Sequence, residues 1–157
     1  MLSKILNKEV FEMALTFKAS GKLQEGLRVD VQVRQFQMAF DEPENLGGKD
    51  SAPNPVEGLL ASLIGCLGIV TRVVAQEKNL PVEGVEIEAE GDLDPRGFMG
   101  QYDLVRPGFL AVRYAIKVKG DLSDEQLRAL VEEVEKRCPV SDTLGKGTQV
   151  SGTFVKA

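Results

Sequence analysis

The chain has 157 residues, 43% apolar and 27% charged, the balance of one folded domain with a real core rather than a disordered chain. Its formal net charge of −5 argues against general affinity for nucleic acid, which needs clustered Lys and Arg to displace counterions. It has no histidine and two cysteines, so a thiolate is the nucleophile it can most readily offer.

Residues 1–9 lack the uninterrupted apolar run and small-residue cleavage site of a secretory signal. Between residues 10 and 19, Phe11, Met13, Leu15 and Phe17 alternate with Glu12, Ala14, Thr16 and Lys18, the period of a half-buried strand. Ser20-Gly21 then reads as a turn. Leu27, Val29, Val31 and Val33 form a second alternating run, and the apolar parity shifts to Phe36, Met38 and Phe40. That shift requires a tight turn or bulge near Arg34-Gln35, so three antiparallel strands are expected.

Residues 41–55 are rich in Pro, Gly and Asn and read as a loop. Asn54-Pro55 suits a helix start, with Asn54 as N-cap, Pro55 at the first position and Glu57 in the first turn. The helix is expected to run to about Lys78. Its most apolar part, Gly58 to Thr71, is 14 residues long between Glu57 and Arg72. That falls short of the roughly 20 residues needed to span a bilayer and predicts a central buried helix, with no membrane partner. Gly58, Gly65 and Gly68 lower its helix propensity by about 1 kcal/mol each relative to Ala, which suggests close approach of another backbone, such as the same helix of a second subunit.

Val85, Ile87 and Ala89 alternate with Glu86, Glu88 and Glu90; Leu110, Val112, Tyr114, Ile116 and Val118 alternate with Arg113, Lys117 and Lys119. One acidic and one basic outer face predict two paired strands, joined by a long loop from Gly91 to Gly108 of the kind that is often functional. Ser123-Asp124-Glu125-Gln126 is a capping box opening a second helix, whose stripe is Leu127, Leu130, Val131 and Val134. Pro139 is expected to end it, and residues 148–155 to form a closing strand. No repeat or linker interrupts the chain, so residues 1–157 read as a single domain of α+β class with an antiparallel sheet.

Two motifs then carry the functional reading. Asn54-Pro55-Val56-Glu57-Gly58-Leu59-Leu60-Ala61-Ser62-Leu63-Ile64-Gly65-Cys66 and Cys138-Pro139-Val140-Ser141-Asp142-Thr143-Leu144 resemble the OsmC/Ohr family of thiol-dependent peroxidases. Asp41-Glu42-Pro43 and Leu46-Gly47-Gly48 look like that family's approach to its first cysteine helix. The resemblance implies an OsmC-like fold, an antiparallel sheet wrapped around two long helices in an intertwined homodimer, with two active sites at the subunit interface. It implies peroxide reduction at Cys66 and resolution by Cys138 through a Cys66–Cys138 disulfide. Organic-hydroperoxide enzymes of the family commonly carry a glutamate directly after Asn-Pro, paired with an arginine that holds the thiolate. Here that position is Val56 and the carboxylate is Glu57, turned by about 100° on a helix.

In this reading Cys66 attacks the O–O bond and becomes a sulfenic acid. Placed mid-helix, it is expected to gain nothing from a helix N-terminus, so a cation, Arg28 or Arg34, must lower its pKa. Cys138 lies 72 residues further on, too far for a local Cys-x-x-Cys motif. Glu57 is a candidate helper, although a charge complementing the helix dipole is the simpler role. Ser141 and Asp142 are expected to cap a short helical turn. The expected partners are an organic hydroperoxide, a dithiol reductant (lipoylated or thioredoxin-like) and a second copy of the chain, in the cytoplasm. No organic cofactor or metal is required, since histidine and further cysteines are lacking. The alternative is a non-catalytic OsmC-like module that binds a small molecule or senses redox state.

Overall fold

The computed structural model describes residues 14–156, which divide into two compact units, one ending at Pro55 and the other starting at Val56. In the first, β1 (Ser20–Leu23), β2 (Val29–Val33) and β3 (Phe36–Phe40) form an antiparallel sheet in the order β1-β2-β3. The parity shift is resolved as expected. Val33 pairs with Phe36 across a two-residue turn in which Arg34 is left-handed, at φ 55°. Ser20-Gly21 is strand rather than turn. The reversal falls later, at residues 24–28, where Gly26 adopts φ 77°. Residues 14–19 have no regular structure, while Phe11, Glu12 and Met13 of the expected first strand lie outside the described residues.

Asp41 organises the loop that follows. Its buried carboxylate accepts hydrogen bonds from the amides of Glu42, Lys49 and Ser51 and from the Ser51 hydroxyl. These donors, led by the Ser51 hydroxyl, hold its pKa down at about 2. Gly48 is required here, because a Cβ would sit 1.7 Å from the Glu42 carbonyl oxygen.

α1 (Pro55–Glu77) starts on the last residue of the first unit and forms the opening element of the second. β4 (Val82–Asp92) leads into a loop holding the short α2 (Pro95–Phe98), and β5 (Ala111–Gly120) returns antiparallel to β4. The register places Val85 opposite Val118 and Ile87 opposite Ile116 on one face. On the other face Glu90 and Asp92 clasp Arg113, Lys117 reaches Glu88 and Lys119 reaches Glu83. The opposed charge patterns therefore mark paired strands, as expected. α3 (Asp124–Arg137) opens on the predicted capping box, with Ser123 and Gln126 satisfying each other's backbone amides.

The core is a stripe of α1 (Leu63, Leu67, Val74 and Ala75) meeting Leu130, Val134 and Cys138, with the apolar face of β4–β5 packed against it. Burial of a side chain such as Leu67 stabilises by about 1.5–3 kcal/mol. The expectation of a helix buried all round is corrected. Only 28% of the most apolar window of α1 is buried, and Ile69 is 68% exposed. A two-stranded sheet and one helix cover one side of a cylinder, leaving Leu59, Ile69 and Val73 uncovered. Within one copy of the chain, Gly65 faces open space and Gly68 has the Ile87 side chain at ordinary contact distance.

Two further corrections concern the C-terminal part. Pro139 does not simply stop α3 but starts α4 (Pro139–Lys146), and residues 148–155 form no strand. Proline lacks an amide hydrogen and fixes φ, so it suits a first helical turn as well as it breaks an interior one.

Candidate functional site

Cys66 lies on α1 one turn beyond the buried Leu63, so the helix presents both toward the α3–α4 corner. Cys138 is the corner itself. It is the C-cap of α3 and the N-cap of α4, held extended at φ −78° and ψ 107° as a residue before proline must be. Arg137 grips Glu77 near the end of α1 with a two-pronged guanidinium contact, tying α3 to α1. The sulfurs therefore meet. Cys138 Sγ stands 3.1 Å from Cys66 Sγ, the thiol of one donating to the sulfur of the other. A disulfide bond is about 2.05 Å long, so a shift of roughly 1 Å separates contact from bond.

The corner adds backbone donors. The Ser141 amide donates to Cys138 Sγ at 3.4 Å, and the Val140 amide hydrogen-bonds the Cys66 sulfur. Both amides belong to the first turn of α4, whose free N–H groups favour a negative atom. Cys66 is thus mid-helix in its own element yet faces the N-terminus of another, which sequence reasoning missed. The signal was present: Cys138-Pro139 repeats the N-cap and first-position proline pattern read at Asn54-Pro55. Burial outweighs the amide, however, and pushes the Cys66 thiol above the usual 9.0. Cys138 is fully buried, and its closeness adds to the upward push on the Cys66 thiol.

Tyr114 on β5 completes the polar surroundings. Its hydroxyl donates to Glu135 Oε1 at 3.1 Å, and burial together with that carboxylate raises its pKa to about 12. A cavity of about 400 Å3 opens between α1, the loop before β5, and α4. Leu59, Leu63, Phe109 and Leu144 give it an apolar wall, while Tyr114, Ser141 and Arg106 contribute polar groups. It adjoins the thiols through Leu63 and Ser141. Among the described residues no group of three or more Cys, Asp or Glu gathers as metal ligands.

Arg28 and Arg34 lie in the first unit. Arg28 pairs with Asp30 and donates to the Ser51 hydroxyl, which in turn donates to Asp41. Arg34 projects its guanidinium over the Phe36 ring, 5.1 Å from the centroid. Glu57 sits in the first turn of α1.

The α+β architecture and the paired thiols at a helix junction define an OsmC-like protein. The OsmC-like protein family model matches residues 48–152, about two thirds of the chain, and the chain belongs to the OsmC/Ohr family. A protein of Haloferax volcanii with no assigned role is 29% identical over 133 residues, covering 84% of this chain and 89% of its own. Among solved structures, the OsmC-like protein of Mycoplasma pneumoniae superposes with a TM-score of 0.70 at 19% identity, covering 84% of this chain and 89% of the other. The organic hydroperoxide resistance protein OsmC of Legionella pneumophila gives 0.62 at 22% identity, with 85% and 91% covered. The organic hydroperoxide resistance protein OhrB of Bacillus subtilis gives 0.58 at 23%, with 83% and 92% covered. At these identities the structural likeness speaks for the fold.

Proposed function

We propose that this protein is a thiol-dependent peroxidase that reduces organic hydroperoxides to alcohols. The 3.1 Å contact between the two sulfurs carries this reading. The Cys66 thiolate attacks the terminal peroxide oxygen; the O–O bond breaks, Cys66 becomes a sulfenic acid, and the alkoxide leaves and takes up a proton as the alcohol. The Cys138 sulfur then attacks the sulfenic sulfur, a disulfide forms and water departs with the thiol proton. An external dithiol, from a lipoylated or thioredoxin-like partner, donates two electrons and two protons to restore both thiols while becoming a disulfide itself. Such a cycle suits a reducing cytoplasm.

Burial raises the Cys66 thiol, and the Val140 amide only partly opposes it. The remaining stabilisation of the thiolate is assigned to Arg28 or Arg34, delivered from the strand layer or from a second copy of the chain; Glu57 is a candidate helper whose simpler role is a charge complementing the helix dipole. The uncovered apolar face of α1 supports the dimer, since exposed Leu59, Ile69 and Val73 form a patch that a second copy would bury. A second reading, a binding or redox-sensing module without turnover, is favoured by the raised thiol pKa and the adjoining cavity.

The experiment is the reaction of reduced protein with cumene hydroperoxide. Stoichiometric loss of both thiols, with turnover when dihydrolipoamide is added, is the expected result. Thiols that stay reduced while a lipid co-purifies would establish the binding module instead.

A further inference from the structure

Arg137 and Cys138 are consecutive residues at the end of α3, yet they touch α1 at two separate places. Cys138 Sγ meets the sulfur of Cys66, while the Arg137 guanidinium donates to both carboxylate oxygens of Glu77, Nη2 reaching Oε1 at 3.0 Å. Glu77 follows Cys66 by 11 residues, which is about three turns and roughly 16 Å of helix rise. Steps of about 100° over that distance return to nearly the same side, so both contacts lie along one face of α1.

Two helices that touch at one point can pivot about it, whereas two points far apart fix the angle between them. The apolar packing of α1 against Leu130 and Val134 is non-directional and tolerates sliding. The ion pair is directional, because a planar guanidinium fork fits a carboxylate over a narrow range of approach. Glu133, one turn back on α3, flanks the same guanidinium at 4.0 Å and limits the rotamers open to it. Arg137 also holds the Glu77 carboxyl below the ordinary carboxylate range, so the pair is charged at neutral pH. On the sheet side, Glu135 accepts from the Tyr114 hydroxyl, so the last turn before Cys138 is held by two neighbours. A disulfide closes only within narrow limits of sulfur and backbone placement, and this turn sets where the Cys138 sulfur lies.

We propose that Arg137 is a positioning residue for Cys138: clasped on Glu77, it holds the end of α3 where the Cys138 sulfur reaches Cys66, and so favours closure of the Cys66–Cys138 disulfide. By linkage, closing the disulfide strengthens the clasp by the same factor. In peroxide reduction the effect falls on the second step. The Cys66 sulfenic acid is captured sooner and spends less time open to a second peroxide, which would carry it to the sulfinic acid. This kinetic half rests on the peroxidase reading; the equilibrium half needs only the two thiols.

The test equilibrates the full chain in mixtures of reduced and oxidised dithiothreitol. The two thiols pass two electrons and two protons to the cyclic disulfide, which becomes the dithiol. Arg137→Gln should lower the equilibrium constant for closure about five-fold, or about 1 kcal/mol, and Arg137→Lys should lower it less. Exchange of the pair, Glu77→Arg with Arg137→Glu, should recover most of what either reversal alone loses, which lost packing cannot do. Lys117→Gln, which removes the exposed pair with Glu88, should leave the constant unchanged. Urea midpoints of the reduced proteins should move little, since the clasp is partly exposed and such pairs add little to global stability. A constant untouched by Arg137→Gln, one that falls only in step with the urea midpoint, or one that the exchange does not recover overturns the proposal. With cumene hydroperoxide, Arg137→Gln should keep the rate of the first Cys66 oxidation while disulfide formation slows about five-fold. A chain inert to the peroxide that still shows the shift and its recovery would refute the peroxidase reading and leave the clasp standing.

Discussion

The backbone amide of Val140 hydrogen-bonds the sulfur of Cys66. A fixed amide donor favours the thiolate, and it needs no side chain of its own. Because burial acts more strongly in the opposite direction, the amide alone leaves Cys66 above the ordinary thiol pKa. Turnover at neutral pH therefore needs a cation. If Arg28 or Arg34 is that cation, as proposed, its replacement by Ala should raise the apparent Cys66 pKa by a unit or more, visible in the ultraviolet absorbance of the thiolate. Peroxide consumption at pH 7 should fall at least about ten-fold, as one pKa unit dictates. If neither substitution moves the pKa, the assignment of the cation is wrong.

The two cysteines should fail in different ways. Cys66→Ser is expected to abolish peroxide consumption altogether. Cys138→Ser should still react once, leaving a sulfenic acid that dimedone labels and mass spectrometry detects on Cys66. Peroxide turnover that survives in Cys66→Ser would reverse the roles or dismiss them.

Acid sensitivity should centre on Asp41. Its folded-state pKa, about 2, lies below the ordinary 3.8, so its hydrogen-bonded carboxylate stabilises the fold fully above about pH 4. That contribution is lost as pH falls through 2. Urea midpoints measured between pH 5 and 2 should decline in the wild type, and the decline should be shallower in Asp41→Asn. An identical slope in both proteins would show that the Asp41 hydrogen bonds do not govern it.

Leu67 is fully buried on α1, at the centre of the stripe that meets Leu130 and Val134. Leu67→Ala should lower unfolding stability by about 2–5 kcal/mol, through lost burial and the cavity left behind. Ile69→Ala, on the uncovered face, should cost the isolated chain little and weaken self-association instead. Sedimentation equilibrium distinguishes the two effects; an unchanged association constant would remove Ile69 from the proposed dimer contact.

Much of the secondary structure was legible because it is written in local pattern. The capping box at Ser123, the span of α1, the turn at Arg34 and the acid–base complementarity of β4 and β5 each follow from neighbours in sequence or from alternation. Ser20–Leu23 escaped because Ser-Gly is a strong turn signal that pairing with β2 overrides. A short helical turn at Ser141 and Asp142 was legible, but its start at Pro139 with Cys138 as N-cap was not, because a proline also ends helices.

From its residues alone the chain specified two thiols in recognisable settings, an α+β order of elements and an apolar first helix, since composition and periodicity are local properties. What three dimensions decided was that Cys138, at a corner between helices, comes within contact of a sulfur 72 residues earlier, that α4 turns its free amides toward both, and that Arg106 overlooks the neighbouring cavity. Those relationships depend on how α1, α3 and α4 cross and on where a loop folds back, and no periodicity along a chain encodes a distance between elements far apart within it.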